Sequence, residues 1–352
     1  MIIGIAYDLK EDFVMEAGRP DDWFEEYDSV ETIEALQNAL ESLGYKTVHL
    51  GGGRTFLERI QTTPVELVFN LAEGSGGRTR EAYVPTVLEM LKVPYSHSDP
   101  LTMALTLDKE MAKRVVASEG IQTPHFRLIR DESDADHIDL PFPLFVKPAW
   151  DGSSKGLRSH SRVMNRDALK QEIDRLLDNY GTPVLVETFL PGREFTAGIL
   201  GNGSPYVLGV MEVAPTEGSA EEFVYCTRMK RECARRVRYR CPPDLPLSVL
   251  HEIEKVAVDS YRVLGCRDVA RIDIRLDRRG TPHFLEANPL PGIAPDYSDL
   301  VILASHVGWS YEELIETILV HAFERYGLSQ KRIHDRSLLM GGIDRRGRIA
   351  FS

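Results

Sequence analysis

The chain has 352 residues, with 42 Lys and Arg against 54 Asp and Glu for a formal charge of −12. Its 43% hydrophobic and 27% charged content excludes a largely disordered or fibrous chain, and a chain this long can bury about three quarters of its surface without disulfide or metal staples. The acidic excess argues against general nucleic-acid binding, the four cysteines form no CxxC pair and so indicate a reducing compartment, and the absence of both an 18-residue apolar run and a basic leader predicts a cytoplasmic protein with no membrane span.

In chain order, Met1 to Tyr7 reads as a buried strand, and Val30, Ile33, Leu36, Leu40 and Leu43 then recur at helical spacing up to Gly44. Lys46 to Leu50 and Glu66 to Leu71 are further strands, and Glu81 to Leu91 returns to a helical pattern. The first unit, residues 1–98, is therefore an α/β domain with a parallel sheet, whose ligands belong beyond the carboxyl ends of its strands. Between its first strand and helix lies Asp8 to Glu34, with eleven acids and two bases, too long for an ordinary βα connection. The Gly51-Gly52-Gly53 run reads as a turn.

From Asp99 the pattern shifts to α+β. Asp108 to Glu119 is helical, Leu144 to Lys147 is a strand followed by Asp151-Gly-Ser-Ser-Lys-Gly156, and Asn165 caps a helix to Tyr180. Val184 to Glu187, Glu194 to Leu200 and Tyr206 to Val213 alternate as antiparallel strands, and Ser248 to Leu264 is a helix. Asp268 to Leu276 and Thr281 to Asn288 form a hairpin, and Ser310 and Glu313 make a capping box opening a helix to Tyr326. These elements suggest a unit over residues 99–186 and another over 187–330, with residues 331–352 as a basic tail or an appended hairpin.

Strand alternation puts Arg271, Asp273 and Arg275 on one face of the hairpin, and Glu286 and Asn288 share a face of its partner strand. Asp273, Glu286 and Asn288 can converge as oxygen ligands for Mg²⁺; as an isolated pattern, a polar face paired with Arg271 and Arg275 explains them equally well. Lys147, at a strand end before the Gly-Ser loop, suits phosphate, although such a loop alone is more often a simple turn. Glu187 and Glu194 at strand ends can bind a nucleotide's sugar or base, or face water.

In this order the motifs resemble the ATP-grasp superfamily, most closely the D-alanine:D-alanine ligase family. The resemblance spans about residues 67–322 and rests on VFNLAEGSGG (68–77), VPYSHSDPLTMALTLDK (93–109), FVKPAWDGSSKG (145–156), VLVETFLPGREFT (184–196) and GCRDVARIDIRLDRRGTPHFLEANPLPG (265–292). It implies an N-terminal α/β domain followed by a two-lobed ATP-grasp fold with ATP between the lobes. It further implies that Lys109, Lys147, Ser154, Glu187, Glu194 and Lys230 bind ATP, and that Asp273, Glu286 and Asn288 hold Mg²⁺, two ions, with Mn²⁺ as a substitute. The implied reaction joins a carboxylate, activated as an acyl phosphate, to an amine. Arg271 and the Gly292 N–H match the oxyanion donors, Ser153 matches a catalytic serine, and the family's usual dimers suggest a homodimer.

The departures fall on the substrate side. The family's GG-x-S-x-E run is replaced by Tyr7-Asp8-Leu9-Lys10 and the acidic insertion, and a histidine and an acidic pair give way to Glu73, Arg78 and Arg80. Arg231 stands for a tyrosine, and Tyr297 or Ser298 occupies the place of a carboxylate-binding serine. Arg78 and Arg80 are then expected to bind a substrate carboxylate or to pair with neighbouring acids, and Glu73 to receive an ammonium. Amino-acid or small-peptide substrates are expected, with the acidic segment closing over the site and favouring a cationic or amino substrate. D-alanine:D-alanine ligation and a non-ligating ATP-binding regulator are the alternatives.

Overall fold

The computed structural model describes residues 1–328, so the expected tail or hairpin at 331–352 lies outside the described residues. The chain begins with β1 (Ile2–Ala6), α1 (Val30–Ser42), β2 (Lys46–Gly51), α2 (Gly53–Ile60), β3 (Leu67–Asn70) and α3 (Tyr83–Leu91). The three strands form a parallel sheet in the order β2-β1-β3, with Ile3 beside Thr47 on one side and Leu67 on the other. Ser29 caps α1 by accepting from the Thr32 N–H. The glycine run expected to be a simple turn instead ends β2 and opens α2. Gly52 packs so tightly on the loop after β1 that a Cβ there would lie 1.9 Å from Asp8 Oδ1.

The acidic segment is folded. Leu9 bridges Asp28, the Lys10 N–H donates to the Asp28 carbonyl at 2.9 Å, and the rings of Phe13 and Tyr27 stack at 4.2 Å. Closing the segment's ends together lets the acids between them project toward the rest of the molecule.

Next come α4 (Pro100–Leu107) and α5 (Lys109–Ser118), capped by Asp99 and Asp108. An antiparallel lid sheet follows: β4 (Phe126–Ile129), β5 (Leu144–Pro148), β6 (Arg162–Val163) and, after α6 (Arg166–Tyr180), β7 (Val184–Thr188), ordered β4-β7-β5-β6. Leu169, Ile173 and Leu176, spaced at three and four residues, bury one face of α6 against Val146 and Val186 of that sheet.

The remaining elements are β8 (Glu194–Leu200), β9 (Tyr206–Pro215), the short α7 (Thr227–Arg231) and α8 (Cys233–Arg236), β10 (Val237–Arg240), α9 (Leu247–Val263), β11 (Val269–Leu276), β12 (Pro282–Asn288), α10 (Asp299–His306) and α11 (Tyr311–Tyr326). Their strands make a second antiparallel sheet, β10-β9-β8-β11-β12. α11 returns to the first sheet, where Leu314, Ile318 and Phe323 share a core with Ile3, Leu36 and Leu40.

The unit boundaries differ from the sequence-based ones. A break between residues 186 and 187 would cut β7, which pairs along its length with β5 through Thr188. Ala112 and Val116 of α5 pack in the core of the second antiparallel sheet with Ile272 and Phe284, so residues 99–118 belong there and not with the lid. Hydrophobic periodicity marks which face of a helix is buried, but not what covers it.

Candidate active site

On the lid side, β5 and β7 place Lys147 and Glu187 with Lys147 Nζ 3.0 Å from Glu187 Oε1. The other oxygen of Glu187 is 3.0 Å from Lys113 Nζ. Lys113 was not singled out from the sequence, yet it follows Lys109 by one helical turn and so shares its face. Burial pushes the Lys113 pKa down to about 8, against the pull of Glu187. Burial also works against the Glu187 carboxylate, but Lys113 and Lys147 outweigh it and its pKa is lowered. Glu194 lies opposite Arg275 across β8 and β11 and pairs with it at 2.9 Å. Lys109, Lys147, Ser154, Glu187, Glu194 and Lys230 all line one cleft.

The Asp151 to Gly156 loop closes this cleft. Ser153 and Ser154 have φ of 49° and 59°, left-handed values that curl the backbone sharply. Thr227 Oγ1 donates to the Ser154 carbonyl at 2.8 Å, and Lys230 sits 5.2 Å from the centre of the Tyr225 ring.

In the hairpin, Asp273 is opposite Glu286 and Arg271 is opposite Asn288. Asn288 Nδ2 donates to Asp273 Oδ2 at 3.3 Å, Thr196 Oγ1 donates to Asp273 Oδ1 at 2.7 Å, and Arg271 pairs with Asp273 at 3.1 Å and with Asp299. Burial and, against the pull of Arg271, the neighbouring Glu286 charge raise the Asp273 pKa. Glu286 is also buried, but Lys109, Lys147, Arg271 and Lys230 hold it down to about 2. Two carboxylates facing each other beside an amide oxygen, one of them raised by the other, form a donor set that a divalent cation suits. Among the described residues no three His, Cys, Asp or Glu side chains could hold a metal; the third donor here is the amide of Asn288.

A second cavity shares Arg271 and Glu286 with the first and is also lined by Glu73, Ser153, Asn288, Gly292, Tyr297 and Ser298. Gly292 is confined, since a Cβ there would lie 2.9 Å from Ser298 Oγ, itself fixed by accepting the Ala294 N–H at 2.9 Å.

Four side chains expected on the substrate side are engaged by other residues of the chain. Arg78 is 56% exposed and pairs with Asp108 at 3.1 Å. Arg80 is buried, pairing with Glu26 and donating to the Trp150 carbonyl at 2.7 Å, so both arginines show the pairing with acids that was one of the two expected outcomes. Arg231 binds Asp21 at 2.6 Å and Glu25 at 2.7 Å, and Tyr297 donates to Glu25 at 3.2 Å. Four of the segment's eleven acids, Asp21, Asp22, Glu25 and Glu26, are likewise committed to ion pairs with the lid, with Arg80 or with α7. In each case the fold brings an opposite charge to the side chain before any ligand can.

A lid sheet facing an antiparallel sheet, with paired lysines above and an Asp-Glu-Asn hairpin below, defines an ATP-grasp enzyme, a carboxylate–amine ligase. Residues 115–320 match the family described as D-ala D-ala ligase C-terminus. The uncharacterized protein y4sG of Sinorhizobium fredii is 35% identical over 301 residues, covering 83% of this chain and 88% of its own. The D-alanine–D-alanine ligase of Pelotomaculum thermopropionicum is 32% identical over 313 residues, covering 86% and 94%. The chain belongs to the D-alanine–D-alanine ligase family. In fold it matches the Bacillus anthracis D-alanine–D-alanine ligase solved with ATP, at a TM-score of 0.69, 22% identity and coverage of 93% and 98%. It also matches the VanG D-Ala:D-Ser ligase of Enterococcus faecalis, at 0.67, 19%, 91% and 99%.

Proposed function

We propose that the protein joins the carboxylate of an amino acid or small peptide to an amine, consuming ATP with Mg²⁺ and releasing ADP and phosphate. One observation carries this reading: Lys109, Lys230, Arg271 and Glu286 line both cavities. The nucleotide cleft and the acyl cavity therefore meet at a cationic junction, where a phosphoryl group has to pass from one ligand to the other.

Asp273, Glu286 and Asn288 would hold Mg²⁺, or Mn²⁺ in its place, and two ions would neutralise the charge on the transferring phosphoryl group. Lys147 and Lys113 fix Glu187, whose carboxylate is then oriented for the nucleoside. Lys109 and Lys230 add positive charge at the junction, favouring attack of the substrate carboxylate oxygen on the γ-phosphorus. The amine then attacks the acyl carbon and phosphate leaves. Arg271 and the Gly292 N–H are the donors for the oxyanion formed in that step, and the buried Arg271 Nε has no hydrogen-bond partner among the described residues. No helix among the described residues is long and apolar enough to cross a membrane; small-molecule substrates, a cytoplasmic location and a homodimer complete the proposal, with no nucleic-acid or membrane partner.

Replacing Asp273 by Asn tests the metal assignment. ADP formation should fall by at least about 10³-fold, the scale of losing one preorganised charge-stabilising group; turnover at the parental rate would remove Asp273 from the metal site.

A further inference from the structure

The acyl cavity carries more negative charge than its own cations neutralise. Of the carboxylates lining it, Glu25, Glu26, Glu286 and Asp299 each sit in an ion pair, with Arg231, Arg80, Lys109 and Arg271 respectively. Asp28, Glu73 and Glu81 line the same cavity and, among the described residues, have no side-chain hydrogen bond or ion pair. Glu81 is only 8% exposed, so an unpartnered carboxylate is buried against this space. Such a group costs several kcal/mol unless a ligand supplies the missing partner.

From this geometry we infer that the acyl substrate is a diamino acid, whose α-ammonium and side-chain ammonium are received by Asp28, Glu73 and Glu81. The inference rests on the ligase reading above. Three open carboxylates exceed what a single α-ammonium can satisfy, and a metal ion is a poor alternative because these side chains do not converge as a metal cluster. Burial, reinforced by neighbouring carboxylates and only partly opposed by Lys10 at Asp28 and by Arg80 at Glu73 and Glu81, raises Asp28 and Glu81 to about 7 and Glu73 well above its ordinary value, the state expected of acids with too little counter-charge. The same negative potential keeps a bound amine protonated and therefore non-nucleophilic. The cavity thus suits the spectator ammonium groups of the molecule whose carboxylate is activated, and not the attacking amine.

The test uses the full chain with ATP, Mg²⁺ and hydroxylamine, whose nitrogen attacks the acyl carbon of an acyl phosphate, expelling phosphate and leaving a hydroxamate. Lysine, ornithine, norleucine and alanine, each as both enantiomers, are the acyl probes. Hydroxamate formation should favour lysine or ornithine over norleucine by at least about 100-fold in kcat/KM, and Glu81→Gln should narrow that ratio at least about tenfold. Equal use of norleucine, or an undiminished ratio in the variant, would overturn the inference. Failure of every probe to yield ADP would instead overturn the ligase reading. In that event calorimetric binding of lysine against norleucine, with a nonhydrolysable ATP analogue present, still decides the charge preference: tighter lysine binding supports it and equal binding refutes it.

Discussion

Glu26 accepts a hydrogen bond from the backbone N–H of Gly152 at 2.5 Å across 126 residues of sequence. Its carboxylate also pairs with Lys155 at 3.2 Å and with Arg80, while Asp22 accepts from the Gly156 N–H at 2.9 Å and binds Arg158 at 2.6 Å. Two acids of one N-terminal segment therefore grip both ends of the loop that closes the nucleotide cleft.

This grip predicts a combined stability and nucleotide phenotype. Glu26→Gln leaves the buried Arg80 without its ion-pair partner and Lys155 with Asp151 alone among the described residues, at 2.7 Å, and should cost about 3–5 kcal/mol in urea unfolding, with a raised KM for ATP. Burial opposes the Glu26 charge, but Arg80, Lys155 and the Gly152 N–H outweigh it and lower its pKa. The contribution is accordingly full above the unfolded carboxyl value of about 4.3 and is lost as pH falls through the depressed folded value. Parent and variant should converge in stability at the acid end, and a gap independent of pH would refute the assignment.

The two arginines of the loop after β3 should behave differently from one another. Arg78→Ala removes a pair that is solvent-exposed on the arginine side only, Asp108 being buried, and should change kcat/KM by less than about twofold, since solvent screens the arginine end. Arg80→Ala leaves the buried Glu26 with Lys155 as its only cation among the described residues and should lower the unfolding free energy by about 3 kcal/mol. A large loss of substrate affinity in the folded Arg78 variant would restore it to the substrate site.

Glu81 reverses the usual dependence of stability on pH. Burial raises its pKa to about 7, so the folded state binds the extra proton, and stability falls as pH rises from about 4.3 through 7. Glu81→Gln removes this penalty. In thermal melts without substrate, the variant should be the more stable protein at pH 8, by about 2–4 °C for each kcal/mol recovered, and should lose that advantage near pH 4.

Gly292→Ala forces a Cβ toward Ser298 Oγ and should disturb the oxyanion donor, lowering kcat by about 10²-fold with little change in KM for ATP. Adding Ser298→Ala removes the clashing oxygen and should recover part of that loss. A double variant as impaired as the single one would show that the steric contact is not the cause.

How much of this was legible in the sequence follows from the range of each interaction. Asp273, Glu286 and Asn288 could be placed together because strand side chains alternate with period two and one tight turn joins the strands. Arg275 facing Glu194 needed the β8–β11 register, which no local pattern specifies. Lys113 was within reach of helical spacing from Lys109, but its role depends on Glu187, which the lid sheet delivers from another unit. The caps at Ser29, Asn165 and Ser310 were readable because they act within three residues.

By itself the sequence determined the order of elements, the family resemblance and the hairpin that brings Asp273, Glu286 and Asn288 together, all of which depend on short-range periodicity or on contiguous motifs. Only the tertiary structure decided which charges remain open. Asp22, Glu25 and Glu26, within the acidic segment expected to close over the site, are bound by the chain's own cations, whereas Asp28, Glu73 and Glu81 have no hydrogen-bond or ion-pair partner among the described residues. Net charge adds up along a chain, but ion pairing depends on distances of a few ångströms between residues more than a hundred positions apart, and folding alone sets those distances.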